Sequence, residues 1–120
     1  IRRRAMELEK SLVSGSMSLL VLKLLEDGDL YGYQMIAELR RRSDDTFRLK
    51  AGTLYPLLHS LEEKGFVTAY EQTAESGKTR RYYHLTKQGR SALQEKETAW
   101  NAYARAVGRV LKGGACLAGA

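Results

Sequence analysis

Cysteine and long apolar runs are almost absent from this sequence of 120 residues. The single cysteine, Cys116, cannot form an internal disulfide, which favours a protein that works in a reducing cytoplasm. The longest apolar stretch, residues 19–25, is interrupted by Lys23 and is far shorter than the roughly 20 residues that span a bilayer. The basic residues 2–4 are followed by Glu7 instead of an apolar segment, so no signal peptide is expected. These shortages predict a cytoplasmic protein without a membrane span.

Residues that perform catalysis or hold metals are equally scarce. The two histidines, His59 and His84, fall on a predicted helix and a predicted strand, with no cysteines or paired carboxylates at metal-ligand spacing. There is no glycine-rich phosphate loop, and no nucleophile stands with a base and a stabilising group. We therefore expect no enzymatic activity, no bound metal and no cofactor.

Apolar content and positive charge are what the sequence does have. With 43% hydrophobic residues, the chain is long enough for one domain with a core and too short for two. Lysine and arginine number 20 against 14 acidic residues, which gives a net charge of +6. This balance favours an anionic partner such as nucleic acid, but charge alone does not identify that partner.

Apolar residues recur at helical spacing in several segments, and the helices are predicted over residues 5–13, 17–25, 32–42, 51–64 and 87–111. We expect the first helix to end near Gly15 and Ser16 to cap the second. Gly65 is predicted to end the fourth helix, and Thr86 to cap the last. Thr53 is a candidate cap for the fourth helix, because it would place Pro56 in the first turn.

Two β-rich segments, residues 66–72 and 80–85, flank a polar stretch in which Gly77 suits a hairpin tip. The order of helices followed by a hairpin and another helix predicts a mainly α fold with a small β-hairpin, the winged helix-turn-helix. We divide the chain into an N-terminal helix (1–15), a winged helix-turn-helix domain (16–86), a long C-terminal helix (87–112) and a tail (113–120).

The last predicted helix is too long for so small a core to cover its apolar stripe. Near-heptad spacing along this stripe predicts that the chain forms a homodimer. The residues expected at the interface are Leu8, Leu12, Leu93, Trp100, Tyr103, Ala104, Val107 and Leu111.

Four short motifs resemble those of the PadR family of transcriptional regulators. They are LYGY at residues 30–33, GTLYPLLH at 52–59, LEEKG at 61–65, and RRYYHLT at 80–86 followed by Gly89. The similarity extends over about residues 15–100, and the single C-terminal helix resembles the short subfamily. The resemblance implies a winged helix-turn-helix regulator of transcription, with residues 51–64 as the recognition helix.

Contacts with double-stranded operator DNA are expected from two regions. On the recognition helix, Thr53, Tyr55 and His59 form the candidate base-reading face, and Lys50 flanks the end where a phosphate is favoured. Tyr55 has a second interpretation, as a residue packed on the preceding helix. Arg48 is a secondary phosphate candidate, and the resemblance places Tyr31 near the DNA backbone.

On the hairpin, Lys78, Arg80 and Arg81 are expected to reach phosphates or the minor groove. The alternative is that the wing arginines pair across the strands with Glu71 or Glu75 and bind no ligand. The arginines at positions 40–42 are interpreted mainly as favourable charges at a helix C-terminus.

Trp100 is the one tryptophan, and interface packing is its simplest role. In some short members of the resembled family, a tryptophan at the matching place lines an apolar pore that binds planar aromatic molecules. The resemblance therefore implies a repressor that a small aromatic ligand releases from DNA. The alternative function is a winged-helix module that binds another protein and does not contact DNA.

Overall fold

A computed structural model describes residues 10–113 of the chain, with side chains from residue 16 onward. The elements in chain order are α1 (Lys10–Leu24), β1 (Leu30–Tyr31), α2 (Gly32–Arg42), α3 (Ala51–Glu63), β2 (Val67–Thr73), β3 (Thr79–Leu85) and α4 (Lys87–Leu111). Helices α2 and α3 form the helix-turn-helix, and the β2–β3 hairpin forms the wing. The mainly helical winged fold predicted from the sequence is therefore confirmed.

One hydrophobic core holds these elements together, and each helix of the described range contributes to it. The fully buried side chains are Val21, Leu22, Leu25, Met35, Leu54, Leu58, Leu61, Val67 and Leu85. Within residues 16–113 no polar or charged side chain is buried. The core is thus held by apolar packing, and polar interactions are confined to its surface.

The first helix differs from the prediction, because α1 continues without interruption through Gly15 and Ser16. The expected break near Gly15, with Ser16 as the cap of a new helix, was wrong. A glycine inside a helix costs about 1 kcal/mol relative to alanine. Met17, Val21 and Leu24 lie on the same helix and pack into the core, and this packing outweighs that cost.

The sheet has three strands in the order β1-β3-β2, whereas the sequence predicted a two-stranded hairpin. The additional strand β1 is antiparallel to β3, with Leu30 opposite Tyr83 and Tyr31 opposite Tyr82. In the hairpin turn, Gly77 has φ +89, a value that favours glycine, so its predicted place at the tip is confirmed. The wing is therefore attached along one edge to the segment that leads into α2.

The ends of α3 and α4 show which capping predictions were correct. Thr86 caps α4, as predicted, by accepting a hydrogen bond from the backbone N–H of Gly89 at 2.9 Å. Gly65, with φ +80, follows α3 as expected. The cap of α3 is Lys50 and not Thr53, so Pro56 lies inside the helix on its exposed side.

Helix α4 has 25 residues, which makes it about 37 Å long. Its first turns pack on the core through Ala92 and Leu93. Leu93 is only 2% exposed, so its assignment to the dimer interface was wrong, because it fills the core of its own protomer. Leu8, the side chain of Leu12 and residues 114–120 lie outside the part of the chain that the structure describes. Within residues 10–113, no helix has the length and apolar content needed to cross a membrane.

Candidate nucleic-acid interface

The outward face of α3 follows from the way its leucines are buried. Leu54, Leu58 and Leu61 lie at helical spacing and point into the core. On the opposite side, Thr53 and His59 are exposed to solvent. The Nε2 atom of His59 lies 3.7 Å from the carboxylate of Glu63, one turn further along. The face predicted to read bases is therefore accessible, and its polar groups can donate and accept hydrogen bonds.

The start of α3 is electropositive. Lys50 is the N-cap, but its side chain makes no capping bond. A capping side chain accepts a hydrogen bond from a backbone N–H group, and an ammonium group can only donate. Its carbonyl accepts hydrogen bonds from the N–H groups of Thr53 and Leu54, at 3.0 and 2.9 Å. The helix dipole and the exposed Lys50 place positive charge at the same end of the helix. Such an end is suited to a phosphate oxygen.

Tyr55 does not project freely from α3, because its ring covers the first residue of α2. A Cβ added to Gly32 would lie 2.1 Å from the Tyr55 Oη. The side chain keeps 41% of its surface exposed, and partial burial raises the pKa of its hydroxyl. The interpretation of Tyr55 as a residue packed on the preceding helix is thus the one that the contact supports.

Arginines around the turn between α2 and α3 are paired with carboxylates. Asp45 accepts a hydrogen bond from Arg40 at 2.8 Å and another from Arg48. The hydrogen bond from Arg48, and after it the one from Arg40, lower the pKa of Asp45. Arg48 was predicted as a secondary phosphate contact, and a phosphate would have to compete with Asp45 for its guanidinium.

The arginines at the end of α2 are also neutralised locally. Glu38 accepts hydrogen bonds from Arg41 at 2.5 Å and from Arg42 at 2.7 Å. These bonds lower the pKa of Glu38 to about 2. The interactions agree with the interpretation of residues 40–42 as charges that stabilise the helix end.

The two wing arginines lie on opposite faces of the hairpin, because side chains alternate along a strand. Arg81 points toward α3, where its Nη2 lies 3.4 Å from a carboxylate oxygen of Glu62. Arg80 points to the other face, and its guanidinium lies 4.6 Å from the centre of the Tyr31 ring. Lys78 is exposed beside the hairpin tip. The Arg81–Glu62 contact holds the wing beside α3.

Pairing within the wing was the alternative role for its arginines. Arg81 is opposite Glu71 in the β2–β3 register, but the ion pair that the structure shows is with Glu62. No ion pair joins Arg80 or Lys78 to another residue of the described range 16–113. The two cations therefore keep their charge available to a ligand.

Sequence reasoning missed a polar cluster on the outer face of the sheet. The Asp29 carboxylate accepts a hydrogen bond from the Tyr70 hydroxyl at 2.7 Å and lies 2.8 Å from Nδ1 of His84. The Tyr82 ring packs between Tyr70 and Tyr31, at centroid distances of 5.7 and 5.4 Å. The alternation of strand β3 could have placed Tyr82 and His84 on one face, but no local pattern indicates Asp29 as their partner.

The second half of α4 exposes an apolar stripe. Trp100, Tyr103 and Val107 are 47%, 62% and 37% exposed, and Ala104 and Leu111 are exposed beside them. The rings of Trp100 and Tyr103 lie 6.1 Å apart between centroids. Apart from Leu93, the described members of the predicted interface thus share one uncovered face.

The exposed face of α3 and the cationic wing beside it define a winged helix-turn-helix protein of the class found in transcriptional regulators. Residues 21–95 match the transcriptional regulator PadR-like family. Because the match covers more than half of the chain, the protein belongs to this family, and the resemblance found in the sequence is confirmed. PadR-family regulators bind DNA, which is the coarse function that follows from membership.

Named relatives and solved structures agree with this assignment. Transcriptional regulator Rv3488 of Mycobacterium tuberculosis is 38% identical over 87 residues, which are 72% of this chain and 78% of that protein. A transcriptional regulator from Clostridium thermocellum is 28% identical with a TM-score of 0.77, over 83% of this chain and 97% of that one. A PadR family regulator from Eggerthella lenta is 33% identical with a TM-score of 0.73, over 85% and 87% of the two chains.

The contact between Tyr55 and Gly32 gives a test of how α3 is seated on α2. We expect Gly32→Ala to lower the free energy of unfolding by about 1–2 kcal/mol, because the new methyl group displaces the Tyr55 ring. The loss should be much smaller when Tyr55 is already alanine. Denaturant unfolding of the two single variants and the double variant measures this coupling.

Gly28→Ala is the matched control for Gly32→Ala. A Cβ at Gly28 meets nothing within 4 Å, so this change should leave stability nearly unaltered. Equal losses for Gly32→Ala with and without Tyr55 would contradict the proposed contact.

Proposed function

We propose that this chain is a transcriptional repressor that binds operator DNA sequence-specifically as a homodimer. The observation that carries the proposal is the arrangement of two exposed surfaces side by side. The polar face of α3 lies next to the wing, and the contact between Arg81 and Glu62 joins them. One protomer can thus present a helix to the major groove and a cationic hairpin to the neighbouring backbone.

In this proposal α3 enters the major groove with its exposed face toward the bases. Thr53 and His59 make hydrogen bonds to base edges, and Lys50 fixes the register by contacting a phosphate at the helix start. Tyr55 contributes its exposed edge while its ring stays on Gly32. Tyr31 precedes α2 and pairs with Tyr82 in the sheet, with Arg80 over its ring, and in this proposal its hydroxyl approaches the DNA backbone. The buried leucines support this use of α3, because they leave only its polar face free.

The wing supplies contacts that do not depend on base sequence. Lys78, Arg80 and Arg81 are the cations in this part of the chain, and each phosphate contact adds about 0.9 to the slope of log affinity against log salt. Arg48 adds to this set only if it exchanges Asp45 for a phosphate, and Arg81 must likewise share its guanidinium between Glu62 and a phosphate. Binding through phosphate contacts therefore weakens steeply as the salt concentration rises, whereas binding through a mainly apolar protein contact does not.

Replacing both Arg80 and Arg81 by alanine should lower affinity for all duplexes alike and reduce the salt slope by up to about 2. The measurement is fluorescence anisotropy over a salt series, with a labelled duplex that the protein itself has selected from a random-sequence pool. Replacing Arg109 and Lys112 removes the same charge from the far end of α4 and should leave the slope unchanged. If the wing variant keeps the slope of the unmodified protein, the wing does not contact phosphates.

The exposed stripe of α4 supports a dimer formed through this helix. Trp100, Tyr103 and Val107 would lose their contact with water if the same stripe of a second copy covered them. Ala104 lies between them and permits a close approach of the two helices. Such pairing sets the distance between two recognition helices, which is how dimeric regulators match two operator half-sites.

Val107→Glu should dissociate the dimer, because it places a charge in the apolar interface. Ala102→Glu adds the same charge on the opposite face of α4 and should leave the dimer intact. Sedimentation equilibrium at micromolar concentration measures the mass of each variant. A dimeric Val107→Glu variant, or a monomeric unmodified protein, would contradict pairing through this stripe.

The neighbouring rings of Trp100 and Tyr103 support binding of a planar aromatic effector between the protomers. Aromatic walls bind flat cations by stacking and cation–π attraction. Glu97 is not free to attract such a cation, because its carboxylate is 3.3 Å from the Lys23 ammonium group. A ligand that favours one spacing of the recognition helices would release the protein from its operator.

Planar aromatic cations should quench the fluorescence of Trp100, saturably and at concentrations that also lower DNA affinity. The measurement is a fluorescence titration over a panel of such dyes, followed by anisotropy with the selected duplex. Aliphatic amines of equal charge serve as the control and should do neither. If no aromatic compound changes the fluorescence or the affinity, the proposal of a ligand-released repressor fails, and DNA binding stands without it.

A further inference from the structure

The carboxylate of Asp29 connects both strands of the wing to the body of the domain. Its Oδ2 atom accepts a hydrogen bond from Tyr70 on β2, and its Oδ1 atom lies 2.8 Å from Nδ1 of His84 on β3. Asp29 itself belongs to neither strand, since it precedes β1 at the end of the turn after α1. One side chain therefore fixes the base of the hairpin relative to the start of α2.

A row of aromatic rings extends from this carboxylate across the sheet, from β2 through β3 to β1. Tyr70 stacks on Tyr82 with an interplanar angle of 14°, and Tyr82 meets the Tyr31 ring edge-on at 82°. The row ends at Arg80, whose guanidinium lies over Tyr31. Asp29 is thus linked through three rings to a cation of the proposed DNA-binding surface.

The electrostatics of Asp29 fit a structural link better than a contact with DNA. Partial burial opposes its ionisation, but hydrogen bonds from Tyr70 and His84 outweigh this effect and lower its pKa. The Tyr70 pKa is raised, chiefly because its hydroxyl donates to this carboxylate. A carboxylate would repel phosphates, so any favourable effect on DNA binding must act through its neighbours.

We propose that Asp29 is a positioning residue for DNA binding, which holds the tyrosine row so that Arg80 is presented to the phosphate backbone in one orientation. This inference rests on the proposed function of the wing. The stacked guanidinium uses its face on Tyr31 and keeps the N–H groups in its plane for phosphate oxygens. Holding a long side chain in place beforehand reduces the entropy that it loses on binding.

The sign of the effect separates this proposal from simple electrostatics. Removing any surface carboxylate raises the net charge, so Asp27→Ala, two residues away, should strengthen DNA binding slightly. Asp29→Ala makes the same charge change but should weaken binding about three- to tenfold, because Arg80 loses its fixed position. Anisotropy with the duplex selected by the unmodified protein measures both.

A double-mutant cycle with Arg80→Ala tests whether Asp29 acts through this arginine. The loss caused by Asp29→Ala should disappear when Arg80 is already alanine, whereas a general loss of folding would persist. Asp29→Asn keeps an oxygen for the Tyr70 hydroxyl and an N–H₂ group for His84, so it should restore the affinity. Tyr70→Phe removes one exposed hydroxyl and should weaken binding about twofold to threefold, also only when Arg80 is present.

If Asp29→Ala strengthens binding as Asp27→Ala does, or if its loss survives in the Arg80→Ala background, the positioning role is overturned while DNA binding stands. If Asp29→Ala fails to fold, Tyr70→Phe provides the test instead. The positioning role is then overturned if Tyr70→Phe does not weaken binding, or if its loss persists in the Arg80→Ala background. If the unmodified protein binds no duplex from the pool, the proposed function fails and this inference fails with it.

Discussion

Burial of the leucine face of α3 is the constraint on which the proposed DNA surface depends. Leu54, Leu58 and Leu61 are at most 1% exposed, and rotating α3 about its axis would bring them into water at about 1.5–3 kcal/mol for each side chain. The opposite face, with Thr53 and His59, is therefore fixed outward. Two contacts then join the helix to its neighbours: Tyr55 packs on Gly32 of α2, and Glu62 lies 3.4 Å from Arg81 of the wing. Apolar packing and surface contacts together orient the helix.

Elements defined by local patterns could be predicted from the sequence, and those defined by distant pairs could not. Helical spacing gave α2, α3 and α4 to within one residue, because each period depends on neighbours three or four positions apart. The strand β1 was missed because two residues show no period, and only pairing with β3 makes them a strand. Asp29 was missed for the same reason, since it lies 55 positions from His84. A candidate site built from such pairs requires the fold to be known first.

Two errors show how tertiary packing changes the meaning of a correct local pattern. Gly15 is a weak helix former, yet the apolar residues that follow it hold α1 as one helix. Leu93 does lie on the stripe that includes Trp100, but α4 starts on the core and only later leaves it. The same stripe therefore packs within the protomer at Leu93 and is open to solvent at Trp100. Periodicity identifies the apolar face of a helix. It does not tell where along the helix that face leaves the core.

The net charge of +6 conceals a division between paired and unpaired cations. Arg40, Arg41, Arg42 and Arg48 all contact carboxylates near the turn between α2 and α3. Within residues 16–113, no ion pair involves Lys50, Lys78 or Arg80, which lie at the start of α3 and on the wing. Exposed ion pairs are individually weak, but they lower the local potential where they form. Beside the exposed polar face, the start of α3 and the wing thus keep charge available to an anion, whereas the arginines of the turn do not, and a count of charges along the sequence could not distinguish the two groups.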